Sequence, residues 1–265
     1  MTTAERIPGR EERHIQALPS ADPASEGMIV PPDWWILTDK DLPCGNDERM
    51  PNQIHGLQIT LLTTPLELYY KDRKDAYVAG EMYVYFSPYQ ILTDDFKGPD
   101  VFVALNVSKR VRESWVTWQE GKPPDVVIEI LSKSTGMKDR KPKLKVYQDK
   151  LKAPEYVWYN PRNGHLVAFE LVEGEYRRIE PDRKKRLRSR QLDLLLVRWR
   201  GVYRGVEGRW VRYATLDGVL LPTPDEVADE ERRRSDEERR RAQGERGRAD
   251  RLAARLREMG IDPEE

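Results

Sequence analysis

The sequence predicts an α/β fold in which a mixed β-sheet core is flanked by helices and followed by an appended charged helix. Three observations carry this. Short β-rich runs such as "DVFVALNV" and "DVVIEIL" are bounded by turn residues. Helical segments fall before and among those runs without the strict alternation of a doubly wound fold. At residue 223 the composition turns abruptly to arginine and glutamate.

The bulk numbers set the frame. The 265 residues suffice for one large domain with appendages, and 38% hydrophobic against 35% charged residues requires an extensive solvated part. Seven tryptophans and twelve tyrosines argue for a substantial core. Lysine plus arginine equals aspartate plus glutamate at 46 each, so overall charge points to no polyanion. One cysteine, Cys44, excludes an internal disulfide framework and a cysteine-built zinc site, and fits a reducing compartment. No run approaches 18 apolar residues, and the N-terminal stretch has no apolar segment like a signal peptide, so the expected location is cytoplasmic.

Along the chain, residues 1–30 are polar and rich in Pro, Ser and Ala, which predicts a disordered tail. A domain over 31–222 follows. It opens on a loop-like stretch with Trp34, Trp35 and Cys44. "NQIHGLQITLLTTPLELYY" predicts a helix with Ile54, Leu57, Leu61 and Leu62 on one face, disturbed at Pro65. "AYVAGEMYVYFS", "DVFVALNV" and "DVVIEIL" predict strands. "DRKPKLKVYQDKL" reads as a short helix, since Pro142 falls in its first turn. "PEYVWYNP" reads as a strand, and "HLVAFELVEGEYRRIEP" as a hairpin turning at Glu173-Gly174, with further short strands through residue 221. From 223 to 265 the chain predicts a charged helix. Thr223 and Glu226 form a capping box around Pro224, and eleven acidic residues alternate with eleven arginines between Asp225 and Glu258. Opposite charges stand four apart, as in Glu230 with Arg234 and Glu237 with Arg241. Only Leu252, Leu256 and Met259 offer an apolar stripe, and Gly260 a stop, which suits a solvated helix with a short docking or dimerising end better than a full coiled coil.

One residue breaks the pattern of its element. In "PDVVIEILSKST", Val126, Ile128 and Ile130 alternate with Val127, Glu129 and Leu131, so both faces are apolar except for Glu129. A buried carboxylate is costly unless a cation, a metal or strong donors meet it. Asp100 opens the preceding strand. If the two strands are neighbours, the two carboxylates converge and form a hard oxygen site suited to magnesium or manganese. Around them the chain is locally basic, with seven lysines and arginines against two aspartates over 138–152 and ten against three acids over 177–200. Such segments supply sequence-independent phosphate contacts, although an ordinary solvated surface reads the same way. Trp199, Tyr203 and Trp210 read as core more readily than as base-stacking residues.

Pro99-Asp100, Glu129 and a following lysine resemble the PD-(D/E)xK nuclease superfamily, with Leu131 standing where that pattern has its lysine. The wider stretch "PPDVVIEILSKSTGMKDRKPKLKVYQDKLKAPEYVWYNP", with "YVAGEMYVYFSP", "GPDVFVALNV" and "PTPDEVADEERRR", resembles the Uma-two family of restriction-endonuclease-like proteins over roughly residues 31–262. That resemblance implies a restriction-endonuclease-like fold and a magnesium- or manganese-dependent DNA endonuclease. Asp100 and Glu129 would hold the ion, and Lys143, on the helix after the acid-bearing strand, would assist. Other residues have plainer readings. Glu81 reads as an outward-facing strand residue before a further ligand, and His55 as a satisfied structural histidine. Ser132, Ser134 and Thr135 read as caps of the turn after the strand, and Asp139 as orienting the helix that carries Lys143. The rival reading is a non-catalytic nucleic-acid-binding or scaffold protein that keeps the fold, which Leu131 favours. A homodimer through the domain or the C-terminal helix is the expected self-association.

Overall fold

The computed structural model describes residues 52–87, 95–131 and 140–259, all within the larger of the chain's two units, Leu37–Glu265. The expected N-terminal tail, Trp34, Trp35, Cys44, Ser132, Ser134, Thr135, Asp139 and Gly260 lie outside the described residues.

Helix α1 (Gln53–Tyr69) starts at Asn52, whose side chain accepts from the His55 amide at 3.0 Å. Its inward face carries His55, Gln58, Ile59, Leu61, Leu62, Pro65 and Leu66. This corrects the predicted face, because Ile54 is 39% exposed and two polar residues take its place. They are admitted because each finds partners: Gln58 donates to the Val211 carbonyl and accepts from the Val211 amide, both at 2.9 Å. The helix also continues to Tyr69 through Pro65, and the Pro65 ring belongs to the buried face.

The strands that follow are β1 (Ala76–Gly80), β2 (Val84–Tyr85), β3 (Phe96–Lys97), β4 (Val101–Leu105) and β5 (Trp115–Val116). After the short helix α2 (Thr117–Glu120) come β6 (Val126–Ile130) and α3 (Arg140–Lys145), the latter continued by a π-helical turn (Val146–Leu151). β7 (Glu155–Asn160), β8 (His165–Val172), β9 (Glu175–Arg178), β10 (Leu187–Ser189), β11 (Leu194–Tyr203), β12 (Val206–Ala214) and α4 (Pro224–Glu258) complete the order.

The main sheet runs β1-β4-β6-β7-β8-β9 and is mixed, since β6 and β7 pair in parallel and the other neighbours antiparallel. The alternation of β4 and β6 divides two cores. Val101, Val103, Val126, Ile128 and Ile130 pack with α1 and with Leu194, Leu196, Val211 and Tyr213 of the sheet β10-β11-β12. Phe102, Ala104, Val127 and Leu131 pack on the other face with Tyr147, Leu151 and Trp158. The expected single run "AYVAGEMYVYFS" is two strands. Glu81, at φ 55°, ends β1, and β2 joins the small sheet β3-β2-β5. The hairpin turn at Glu173 and Gly174 is as predicted, with φ of 53° and 85°.

Helix α4 begins with the reciprocal capping box, the Thr223 amide donating to Glu226 Oε2 at 2.8 Å and the Glu226 amide to Thr223 Oγ1 at 3.1 Å. Arg212 of β12 binds the same Glu226 at 2.6 Å, so the start of α4 is tied to the sheet. Glu230 pairs with Arg234 at 3.2 Å, while Leu252 and Met259 are exposed. No helix among the described residues is long and apolar enough to cross a membrane.

Candidate metal centre

The site is built by the register of two strands. β4 and β6 pair antiparallel with Val101 opposite Ile128, which sets Asp100 opposite Glu129, one step beyond the last pair. Residues directly opposite in an antiparallel pair share a face, so the two acids the sequence singled out meet at one end of the sheet.

Asp100 is held from two sides. Its Oδ2 accepts from the Ile130 amide at 2.5 Å, and its Oδ1 lies 2.8 Å from His55 Nε2 on α1. His55 is 5% exposed, and its Nδ1 is buried without a hydrogen-bond partner. It is thus only half satisfied, and its one bond goes to a candidate metal ligand rather than to the scaffold. The reading of His55 as a satisfied structural residue is corrected accordingly. The signal available in the sequence was its place one turn from Gln58 on a face otherwise apolar.

Glu129 is 4% exposed. Its Oε2 is 2.8 Å from Lys143 Nζ, and its Oε1 accepts from the Tyr147 hydroxyl at 2.6 Å. Burial pushes the Glu129 carboxyl above its ordinary value, the Lys143 ammonium opposes that, and the Asp100 charge adds to the rise. Tyr147 is fully buried, and burial first, then the Glu129 charge, raise its hydroxyl well above the ordinary tyrosine value. Lys143 and Tyr147 are four residues apart, on one side of the helix. The chain widens into the π-helical turn directly after Lys145, a distortion that recurs at functional sites. Tyr147 is the residue sequence reasoning missed, because a tyrosine in a basic amphipathic helix reads as ordinary core.

Lys143 stands where an ammonium is needed, with its side chain 31% exposed between buried Glu129 and solvent, whereas Lys145 is exposed. Leu131, the departure from the superfamily pattern, is buried against the apolar cluster that holds Tyr147 and Trp158. Glu81 is not an alternating strand residue. It sits exposed in the left-handed bend after β1, where its amide donates to the Asp100 carbonyl at 3.0 Å.

The donor set suits a small hard cation. Among the described residues no three His, Cys, Asp or Glu side chains gather as a metal site. Magnesium needs no such cage, since it retains several waters and is commonly held through one or two carboxylates plus a substrate phosphate. Each oxygen of Asp100 and Glu129 that accepts one hydrogen bond keeps a second lone pair for an ion.

Residues 44–202, well over half of the chain, match the model of the Uma2 family, whose description is "Putative restriction endonuclease". The span is shorter than the 31–262 of the resemblance and leaves out β12 and α4. A solved structure of a putative nuclease belonging to DUF820, from Anabaena variabilis ATCC 29413, is 16% identical. That likeness covers 55% of this chain and 86% of the other, at a TM-score of 0.40. No curated protein matches the chain.

Proposed function

The chain belongs to the Uma2 family, and from that premise we propose that it is a metal-dependent DNA endonuclease whose site is Asp100, Glu129 and Lys143. The observation that carries this reading is the meeting of Asp100 and Glu129 across the β4–β6 register with Lys143 Nζ 2.8 Å from the Glu129 carboxylate. A structural glutamate would be answered by the ammonium and the tyrosine hydroxyl alone, so the second carboxylate opposite it is the feature that favours a metal site.

Asp100 and Glu129 would hold the ion. A divalent cation so bound makes water a better nucleophile at neutral pH and offsets charge on the phosphate under attack. The chain's own groups do the rest. The Ile130 amide and His55 fix the orientation of the Asp100 carboxylate, and the Tyr147 hydroxyl fixes that of Glu129. Fixing both ligands beforehand removes reorganisation from the reaction step. Lys143, partly exposed beside Glu129, is an ammonium placed to stabilise the added negative charge of the phosphorane and to orient the attacking water. Leu131 leaves that work to the helix lysine.

The test is nicking of supercoiled plasmid with magnesium or manganese, by the wild type and by Glu129→Ala and Lys143→Ala variants of verified fold. Nicking that requires metal and is lost in both variants is the expected result. Nicking lost in Glu129→Ala alone would keep the nuclease and remove the role of Lys143. No cleavage of plasmid, single-stranded or branched DNA with either ion would overturn the reading in favour of a non-catalytic scaffold.

A further inference from the structure

We propose that the outer face of the β11–β12 hairpin, carrying Arg198, Arg200 and Arg209, is the surface that binds the phosphate backbone of duplex DNA beside the carboxylate end of the sheet. The proposal rests on the nuclease reading for its choice of ligand and on the hairpin alone for its location.

The pattern along β11 is the first observation. Leu194 and Leu196 are buried in the core, whereas Arg198, Arg200 and Val202, next on the same strand face, are exposed. One face thus turns from apolar to basic as the hairpin runs past the core. The second observation is the register. Arg200 lies directly opposite Arg209, with Arg198 one step away on the same face. Like charges directly opposite in an antiparallel pair are destabilising, and an anion bound between Arg200 and Arg209 would relieve that repulsion. The nearest acid, Glu207, reaches Arg200 only at 3.5 Å with both side chains exposed, and among the described residues no carboxylate pairs with Arg198 or Arg209.

Position is the third observation. The Tyr159 hydroxyl donates to the Arg209 carbonyl at 2.8 Å, and Tyr159 pairs in register with Ile130, whose amide holds Asp100. Two residues therefore connect the arginine face to a candidate metal ligand. The guanidinium of Arg209 is directed by its bond to the Arg162 carbonyl at 3.2 Å and by passage over Gly164, where an added Cβ would stand 3.4 Å from Arg209 Cδ. Lys143 approaches Glu129 from the opposite face of the sheet, with Tyr147, so basic groups stand on both sides of the carboxylates. Arg209 lies beyond the span matched by the family model.

The experiment measures binding of the full chain to a fluorescein-labelled duplex by anisotropy, in EDTA, over a series of salt concentrations. The Arg198→Gln/Arg200→Gln/Arg209→Gln variant is compared with Arg232→Gln/Arg233→Gln/Arg234→Gln on α4, which removes equal charge elsewhere. Loss of three phosphate contacts lowers the slope of log affinity against log salt by about 2 to 3. The hairpin variant should show that fall and the α4 variant should not. An unchanged slope, or an equal fall in both variants, overturns the proposal. The nicking assay separates the two readings. A slope lost in the hairpin variant of a protein that cuts nothing would retain the DNA face and discard the nuclease. Nicking at an unchanged KM in the hairpin variant would retain the nuclease and discard the face.

Discussion

Replacing Lys143 by methionine isolates what the ammonium does for Glu129 apart from any reaction. The wild-type carboxyl, 4% exposed, is raised by burial and held down by Lys143 at 2.8 Å. Breaking a buried pair leaves an uncompensated charge and costs about 3–5 kcal/mol, and the solvent reaching the Lys143 side chain, with the retained Tyr147 bond, brings the expectation to about 2–3 kcal/mol. The loss depends on pH with a definite sign. A carboxyl whose folded-state pKa is raised binds protons more tightly folded than unfolded, so stability falls as pH rises above the ordinary glutamate value. Without Lys143 the pKa rises further and that fall extends to higher pH. The variant should therefore be nearly as stable as wild type around pH 5 and show its full deficit at pH 8, by urea unfolding in EDTA. In the Glu129→Gln background the same substitution should cost little. Equal deficits at both pH values, or an undiminished deficit in that background, would refute the argument that Lys143 compensates a buried anion.

Two further substitutions test the frame around the site. Gln58→Leu leaves the buried amide and carbonyl of Val211 unpaired at about 1–3 kcal/mol each. Calorimetry should show a marked fall in Tm, and a loss below about 1 kcal/mol would mean that apolar contacts alone hold β12 on α1. Thr223→Ala removes the Oγ1 acceptor of the Glu226 amide and should cost about 1 kcal/mol. Hydrogen exchange should quicken at Glu226 and Val227 while β6 amides remain protected; unchanged exchange at both would mean the Arg212–Glu226 pair suffices to cap α4.

What was legible in the sequence is what local periodicity encodes. The β6 run, the Glu173-Gly174 turn and the Thr223 capping box are determined by residues within a few positions of one another. The inward face of α1 is hidden from local periodicity because His55 and Gln58 count as polar until their partners, Asp100 and Val211, are known, 45 and 153 residues away. The run from Ala76 reads as one strand because a glutamate between apolar residues has the period of a strand. Nothing local in Glu81 demands its left-handed backbone, which is set by the meeting of β1 with β4 and of β2 with β5.

The same distinction explains the missing strand lysine. A motif written as a spacing assumes that the backbone delivers the ammonium along with the acid. Position 131 does share a face with Glu129, but that face is packed with Tyr147, Leu151 and Trp158. A lysine there would bury its charge among apolar and aromatic rings, which desolvation opposes strongly. Lys143 reaches Glu129 from a helix whose other side meets solvent, so its ammonium is close to the carboxylate while its side chain remains 31% exposed. The physical requirement is an ammonium beside a buried carboxylate with access to water, and the helix meets it at lower desolvation cost than the strand. In this chain the spacing rule fails at position 131, while an ammonium still stands 2.8 Å from the buried carboxylate.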